Sequence, residues 1–196
     1  MMSNRVPSSS PSTVLLPRLD TLGDLILLEG FLEALRSRLP GAKLTLFTRR
    51  VYNDLAPLFP DGLEWKSTDI DPHKSSPDPP LCRKMLEDLG PGEWDCVLVT
   101  THNRTWGDDL VSAALNGANR MGVGEWRGML PEYQRVFSEI GIGIDYPYDR
   151  MIPVPERSHE VEKYAMLAGQ LTGDASVPQP QLRVSEFQRK AARHIL

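Results

Sequence analysis

The sequence predicts an α/β fold, with an open parallel sheet and helices on both of its faces. Three observations support this prediction. Short apolar runs of strand length recur along the chain, helical patterns separate them, and turn residues mark the junctions. An alternation of strands and helices is typical of a parallel sheet covered on both sides. No internal repeat at a solenoid period is present.

The first strand, helix and strand occupy residues 14–48. Residues 14–17 read Val-Leu-Leu-Pro, and residues 43–48 alternate between polar and apolar side chains as a strand does. Between them, leucines recur every three or four residues, which indicates one apolar stripe on a helix (Leu25, Leu28, Leu32, Leu35 and Leu39). Pro40 and Gly41 end this helix. This order predicts a parallel pair of strands with a right-handed crossover.

The same alternation continues to residue 123. Residues 67–80 are polar and rich in proline, which predicts a long loop or a disordered stretch. The predicted elements are a helix over 50–58, a strand over 62–65, a helix over 81–89, a strand over 95–100, a helix over 106–115 and a strand over 120–123.

We expect three regions along the chain. Residues 1–13 are dominated by Ser and Pro and predict a disordered tail. Residues 14–145 are expected to form the α/β domain. Residues 146–196 are expected to be a Pro-rich linker with helices over 159–171 and from 185 onward. The chain ends inside that last helical pattern, without a C-terminal stop signal.

The composition argues against several classes of protein. With 24% charged residues and a net charge of −4, the chain lacks the excess of Lys and Arg that nucleic-acid binding needs. No window holds the roughly 20 apolar residues of a membrane span. Cys82 and Cys96 match no zinc or redox spacing, and the four histidines form no ligand pattern. We therefore expect no metal and a reduced, cytoplasmic chain.

The loop after the first strand is the first candidate site, because open α/β sheets bind ligands beyond the carboxyl ends of their strands. It contains Arg18, Asp20, Gly23 and Asp24. Gly23 allows close approach of the backbone to a ligand, and the helix start offers free N–H groups. Asp24 has two interpretations: a base that takes a proton from a substrate hydroxyl, or the N-cap of the helix. Local physics alone favours the cap.

The loop after the strand at 95–100 is the second candidate. It holds His102, Asn103 and Arg104, whose side chains suit sugar hydroxyls or phosphate. The alternative is a surface loop in which Asn103 or Thr105 caps the next helix. Neither G-x-G-x-x-G nor a Walker A pattern occurs, which argues against a dinucleotide or P-loop site.

Asp108 and Asp109 resemble a pair of catalytic carboxylates. They are adjacent in a predicted helix, however, and adjacent helical residues point to different faces. The pair is therefore a poor candidate for joint acid–base chemistry.

The order of these motifs resembles glycosyltransferase family 9, the lipopolysaccharide heptosyltransferases and their relatives. Members begin with a strand, an Arg-x-x-x-(small)-Gly-Asp segment, an apolar helix and a Pro-Gly-Ala turn. The matching positions here are Arg18, Gly23-Asp24 and residues 39–42. The strand at 94–99 with Thr101-His102-Asn103, the Arg120-Met121-Gly122 segment and the helix over 159–171 also resemble family features, in the family's order.

The resemblance implies the N-terminal, acceptor-side half of a GT-B glycosyltransferase, in which two Rossmann-like domains face each other across a cleft. The missing C-terminal domain would bind a nucleotide-sugar donor such as ADP-heptose, in cis or in trans. The implied reaction is an inverting, metal-independent transfer, without a further cofactor, to a lipopolysaccharide-type glycan or glycolipid. Asp24 would be the general base. The acceptor would contact Arg18, Asp20, Gly23, His102, Asn103, Arg104 and Arg120.

The resemblance also implies a bacterial, cytoplasmic protein that can touch the inner membrane peripherally. The 196-residue chain alone is expected to be inactive. The loop at 67–80 lacks the many basic residues expected of a grip on a heavily phosphorylated lipid. The alternative interpretation is a non-catalytic, sugar- or ligand-binding α/β module without a donor domain.

Overall fold

In the computed structural model, the described residues are 10–115, 117–126, 128–143, 146–155 and 157–184. They contain a six-stranded sheet in the order β3-β2-β1-β4-β5-β6, and every neighbouring pair is parallel. The strands are β1 (Thr13–Arg18), β2 (Lys43–Arg49), β3 (Glu64–Thr68), β4 (Cys96–Val99), β5 (Asn119–Val123) and β6 (Arg150–Ile152). The strand order reverses between β1 and β4, which makes their carboxyl ends the topological switch point.

Helices cover both faces of the sheet, as the sequence predicts. They are α1 (Leu22–Leu27), α2 (Glu29–Arg38), α3 (Pro79–Leu89), α4 (Trp106–Ala114), α5 (Pro131–Glu139) and α6 (Glu160–Thr172), with a 3₁₀ helix at Arg50–Leu58. In β1, Val14 and Leu16 belong to the core under α1, α2 and α6, whereas Leu15 belongs to the core under α3, α4 and α5. This alternation follows from the two-residue period of a strand.

The predicted leucine helix is confirmed with one interruption, at Leu28, which separates α1 from α2. Leu28 keeps right-handed helical angles (φ −68°, ψ −21°), so the apolar stripe continues across the break. Leu25, Leu28, Leu32 and Leu35 are fully buried.

Two local predictions need correction. The helix predicted over 50–58 is a 3₁₀ helix that contains Pro57, whose ring lacks the N–H that an α-helix uses. The polar stretch at 67–80 is partly ordered structure: β3 extends to Thr68, and α3 begins at Pro79. Asp78 caps α3 by accepting a hydrogen bond from the Leu81 N–H at 2.7 Å.

The structure also differs from the predicted boundary at residue 145. Beyond it, β6 pairs with β5, and α6 packs against α2 and α1. The helix predicted as part of a linker therefore covers the main sheet. The segment 174–184 continues along α2, where Glu29 Oε2 accepts a hydrogen bond from the Gln181 N–H at 2.6 Å. The helix predicted from residue 185 lies outside the described residues.

At the N-terminus, order begins before the predicted end of the tail. The Ser12 N–H donates to Asp95 Oδ2 at 2.7 Å, and β1 starts at Thr13. Residues 1–9 of the predicted tail lie outside the described part of the chain. Among the described helices, none is both long and apolar enough to cross a membrane.

Candidate functional site

Arg18 lies at the centre of the switch point. It is the last residue of β1, and only 1% of its surface is exposed. Its Nη1 donates a hydrogen bond to Thr100 Oγ1 at 3.0 Å, and Thr100 directly follows β4. This bond joins the two strands at the point where the sheet order reverses.

Three carboxylates surround the Arg18 guanidinium. Its Nε lies 2.8 Å from Asp20 Oδ1, and its Nη2 lies 3.6 Å from Glu160 Oε2 and 3.8 Å from Asp24 Oδ1. The Nε–H does not point along the line to Asp20, so charge rather than an aligned hydrogen bond holds this pair. The guanidinium carbon also lies 5.8 Å from the centre of the Tyr164 ring.

The structure buries Arg18 and Asp20, two of the residues expected to contact the acceptor. Arg18 is 1% exposed and Asp20 is 7% exposed, whereas an acceptor needs accessible atoms to contact. Arg18 faces the Asp24 carboxylate from the interior, and Asp20 pairs with Arg18. The sequence did not reveal this, because an arginine is normally expected at the surface.

Two buried carboxyl groups here have strongly shifted acidity. Burial raises the pKa of Asp20 to about 7, although the charge of Arg18 opposes the shift. Burial also raises the pKa of Asp108, which is fully buried, to about 6, and hydrogen bonds from Thr105 oppose that shift. Clusters of such shifted groups are typical of functional sites, although structural networks produce them too.

Asp24 lies in the first turn of α1, and its side chain is 32% exposed. It is not the N-cap. Thr21 holds that position, and its Oγ1 accepts a hydrogen bond from the Asp24 N–H at 3.4 Å. The Thr21 hydroxyl also donates to Asp24 Oδ2 at 2.7 Å. The Asp24 carboxylate is therefore positioned by Thr21 on one oxygen and by Arg18 on the other, and it remains accessible.

α6 supports the same turn from below. The Tyr164 hydroxyl donates to the Asp24 carbonyl oxygen at 3.3 Å. Gly23, one residue earlier, is exposed, and a Cβ there would meet only Thr21 Oγ1, at 3.9 Å. Nothing in the described part of the chain therefore requires a glycine at this position.

The second predicted loop opens onto a cavity of about 500 Å³ between the β4–α4 and β5–α5 connections. The three residues predicted from the sequence come together in its lining. The lining residues are His102, Asn103, Arg104, Asp109, Glu125, Trp126, Gly128, Met129, Leu130, Tyr133 and Val154. The cavity lining thus combines polar side chains with aromatic and apolar ones.

Arg104 connects the two loops that line this cavity. Its Nη1 donates to the Val123 carbonyl at 2.5 Å and its Nη2 to the Glu125 carbonyl at 2.7 Å. The guanidinium carbon lies 5.9 Å from the Trp126 ring centre and 5.3 Å from that of Tyr148. Arg104 therefore ties the loop after β5 to the loop after β4.

Asp109 lines the cavity, a role the sequence did not indicate. Its Oδ1 accepts a hydrogen bond from the buried Tyr148 hydroxyl at 2.6 Å and lies 3.8 Å from Arg104 Nε. Burial raises the pKa of Asp109, and the Tyr148 hydrogen bond opposes that shift. Asp108 instead accepts hydrogen bonds from Thr105 at 2.8 and 2.9 Å. The two neighbouring carboxylates thus have different partners, as the sequence predicts.

Gly124 makes room for His102 at the edge of the cavity. Its φ of +86° is in the left-handed region, and a Cβ there would lie 2.8 Å from His102 Nδ1. Both features favour glycine at this position.

Arg120 is not brought together with the other predicted residues. It lies near the amino end of β5, whereas the site lies beyond the carboxyl ends of the strands. Its Nε and Nη2 donate to Asp149 at 3.0 and 2.8 Å, which ties β5 to the segment before β6. No group of three or more His, Cys, Asp or Glu side chains in the described ranges is placed to hold a metal ion.

No family model and no curated protein matches this sequence. Solved structures do match. The glycosyl transferase family 9 protein of Veillonella parvula is 17% identical with a TM-score of 0.62, over 93% of this chain and 48% of that one. E. coli ADP-heptose lps heptosyltransferase II is 18% identical with a TM-score of 0.58, over 93% of this chain and 50% of that one. E. coli heptosyltransferase WaaC with ADP is 18% identical with a TM-score of 0.54, over 87% of this chain and 50% of that one.

These similarities show the fold. The chain has a Rossmann-like open sheet that resembles part of the glycosyltransferase family 9 structures. It spans about half the length of each of these structures. This is the extent expected of one half of such a protein.

Proposed function

We propose that this chain is the acceptor-binding half of a heptosyltransferase-like glycosyltransferase, with Asp24 as its general base. The observation that carries the proposal is the position of Asp24: an accessible carboxylate at the switch point, held by Arg18 from beneath and by Thr21 from the side. In open α/β sheets this is where substrates bind. The similarity in fold to glycosyltransferases supports this kind of activity.

In the proposed reaction, an acceptor hydroxyl gives its proton to Asp24 as its oxygen attacks the anomeric carbon of the donor sugar. The bond from that carbon to the nucleoside diphosphate breaks, and the diphosphate leaves with the electron pair. Attack opposite the leaving group inverts the anomeric configuration. A positioned general base of this kind contributes about 10²–10⁴ in rate.

The acceptor is proposed to occupy the cavity that contains His102, Asn103 and Arg104. Its polar side chains can bind hydroxyl groups, and its aromatic side chains can face a sugar ring. The β4–α4 loop connects the two regions along the chain, because Thr100, which bonds to Arg18, precedes His102 by two residues.

The donor is proposed to be a nucleotide sugar such as ADP-heptose, bound without metal by a further domain in cis or in trans. The E. coli WaaC structures contain ADP and ADP-2-deoxy-2-fluoro heptose, which supports this class of donor. Among the described residues, the exposed large apolar side chains are Leu22, Val51 and Leu130. They follow β1, β2 and β5, so all three lie at the edge that a second domain would cover. A cytoplasmic site of action, with peripheral contact at the inner membrane, completes the proposal.

Titration of ADP-heptose against the isolated chain tests whether the donor binds to the other domain rather than to this one. Because the proposed donor site belongs to the other domain, we expect no saturable binding of ADP-heptose by this chain at millimolar concentrations. Tight binding of the donor by this chain alone would contradict the assignment of the acceptor side.

A further inference from the structure

We infer that Tyr164, in α6, is a positioning residue for the proposed base Asp24. The inference rests on the proposed function, because it names a residue on which the geometry of that base depends. Tyr164 lies 140 residues beyond Asp24 in the sequence, in a helix that was expected to belong to a linker. It contacts both the backbone of Asp24 and the Arg18 guanidinium that faces the Asp24 carboxylate.

The helix that carries Asp24 is too short to fix this residue by itself. α1 spans six residues, Leu22–Leu27, and Leu28 separates it from α2. An isolated helix of this length is not stable in water, because its first turn fixes several residues for a single hydrogen bond. Contacts from outside α1 must therefore hold this turn in place.

The Tyr164 hydroxyl supplies one such contact. It donates to the Asp24 carbonyl oxygen at 3.3 Å, and the same oxygen accepts a hydrogen bond from the Leu28 N–H at 3.2 Å. A carbonyl oxygen has two lone pairs, so the two bonds can coexist. Burial raises the pKa of Tyr164, although the charge of Arg18 opposes the shift. The hydroxyl therefore stays protonated, and able to donate, at neutral pH.

The aromatic ring of Tyr164 is fixed in the core and faces Arg18. It is fully buried and stacks on Phe31 of α2, with ring centroids 5.5 Å apart. The Arg18 guanidinium carbon lies 5.8 Å from the ring centre, within the range of a cation–π contact. Glu160, one helical turn before Tyr164, places its Oε2 3.6 Å from Arg18 Nη2, the nitrogen that also faces Asp24. α6 therefore orients Arg18 as well as the backbone of Asp24.

Y164F tests the role of the hydroxyl, because it keeps the ring, the stack on Phe31 and the contact with Arg18. The active enzyme is formed by this chain and its donor half, and ADP release from ADP-heptose is followed with a glycolipid extract as acceptor. We expect kcat to fall about three- to tenfold with KM unchanged for both substrates. The lost hydrogen bond alters the position of the base rather than the binding of either substrate.

Y164F is also introduced into D24N, in which an amide replaces the proposed base. A residue that acts through Asp24 loses its effect on turnover once the base is absent, so we expect Y164F to lower kcat by less than about twofold in this background. Equal falls in the two backgrounds would show that Tyr164 only stabilises the fold, and would overturn the inference.

Y52F is the matched control. The Tyr52 hydroxyl donates to the Asp20 carbonyl oxygen at 3.1 Å, which is the same kind of bond four residues before Asp24. We expect Y52F to change kcat by less than about twofold. A fall as large as that of Y164F would rule out a specific role for Tyr164. If D24N alone turns over normally, the proposed function is wrong; if D24N is impaired and Y164F is not, only the inference is wrong.

Discussion

Arg18 Nη2 lies 3.8 Å from Asp24 Oδ1, and the two side chains differ sharply in exposure, 1% for Arg18 against 32% for Asp24. A buried cation thus lies directly beneath an accessible carboxylate. The same guanidinium also faces Asp20 and Glu160. The position of the proposed base therefore depends on the charge network around Arg18, whose burial also affects the stability of the fold.

Loss of the buried cation is expected to destabilise the fold. R18M would leave the buried carboxyl group of Asp20 without its cation, whereas Glu160 keeps Lys163 as a partner, and breaking a buried ion pair costs about 3–5 kcal/mol. Urea unfolding at pH 7 measures the loss. The double variant R18M/D20N should recover part of it, because without Arg18 the pKa of Asp20 rises further and the buried carboxyl group must bind a proton at pH 7, whereas the amide is already neutral. A loss below about 1 kcal/mol for R18M, the range of exposed ion pairs, would show that the network is not stabilising.

The stability of the chain is expected to depend on pH through Asp20. Its pKa in the fold is raised to about 7 from an ordinary value of 3.8. Between these values the unfolded chain releases the proton and the folded chain keeps it, so the free energy of unfolding falls as pH rises toward 7. Above pH 7 the stabilisation by this group is lost, and Asp108 acts in the same direction up to about pH 6.

D20N removes this titration. Urea unfolding at pH 4.5 and pH 7.5 should therefore show a smaller fall in stability for D20N than for the wild type, by an amount on the order of a few kcal/mol. Groups whose pKa is lowered by folding, such as Asp149, contribute equally to both proteins and cancel in the comparison. Equal pH dependence in the two proteins would show that Asp20 titrates normally.

Gly30 is expected to be essential for the close packing of the segment 174–184 on α2. A Cβ at Gly30 would lie 2.1 Å from the Pro178 carbonyl oxygen, which belongs to the backbone and cannot simply rotate away. G30A should therefore cost about 1–3 kcal/mol in urea unfolding. It should also reduce the hydrogen-exchange protection of the Gln181 amide, which bonds to Glu29.

G23A is the matched control, since Gly23 and Gly30 are each the second residue of a helix. A Cβ at Gly23 meets nothing closer than 3.9 Å. We expect G23A to stabilise the chain by about 0.5–1 kcal/mol, because alanine is the better helix former. If the two alanine variants have equal stability, the tight contact with Pro178 is not present in solution.

Much of the fold could be predicted because its central elements are locally encoded. Buried parallel strands are apolar runs, which identified the residues around Leu15 and Val97, and the leucine stripe identified α1 and α2. β6 was missed because three residues carry too little pattern to indicate a strand. The 3₁₀ helix was predicted as α-helix because its apolar spacing is similar.

The candidate site could be predicted only in part. Asp24 and the loop at His102 follow from their place after strands, but the burial of Arg18 depends on Glu160 and Thr100, which are distant in the sequence. The place of Asp109 in the cavity depends on Tyr148, a contact that no local pattern indicates. Local physics favours Asp24 as the N-cap, but Thr21 holds that position, and both residue types are common there.

The most direct test of the central claim is the turnover of D24N in an active enzyme formed by this chain and its donor half. ADP release from ADP-heptose is followed with a glycolipid extract as acceptor. D24N preserves size and removes the base, so we expect a fall in kcat of about 10²–10⁴ with little change in stability. D78A, which removes an aspartate cap from α3, is the control: it should cost about 1 kcal/mol of stability and leave kcat unchanged. Unaltered turnover by D24N would contradict the assignment of Asp24 as the base.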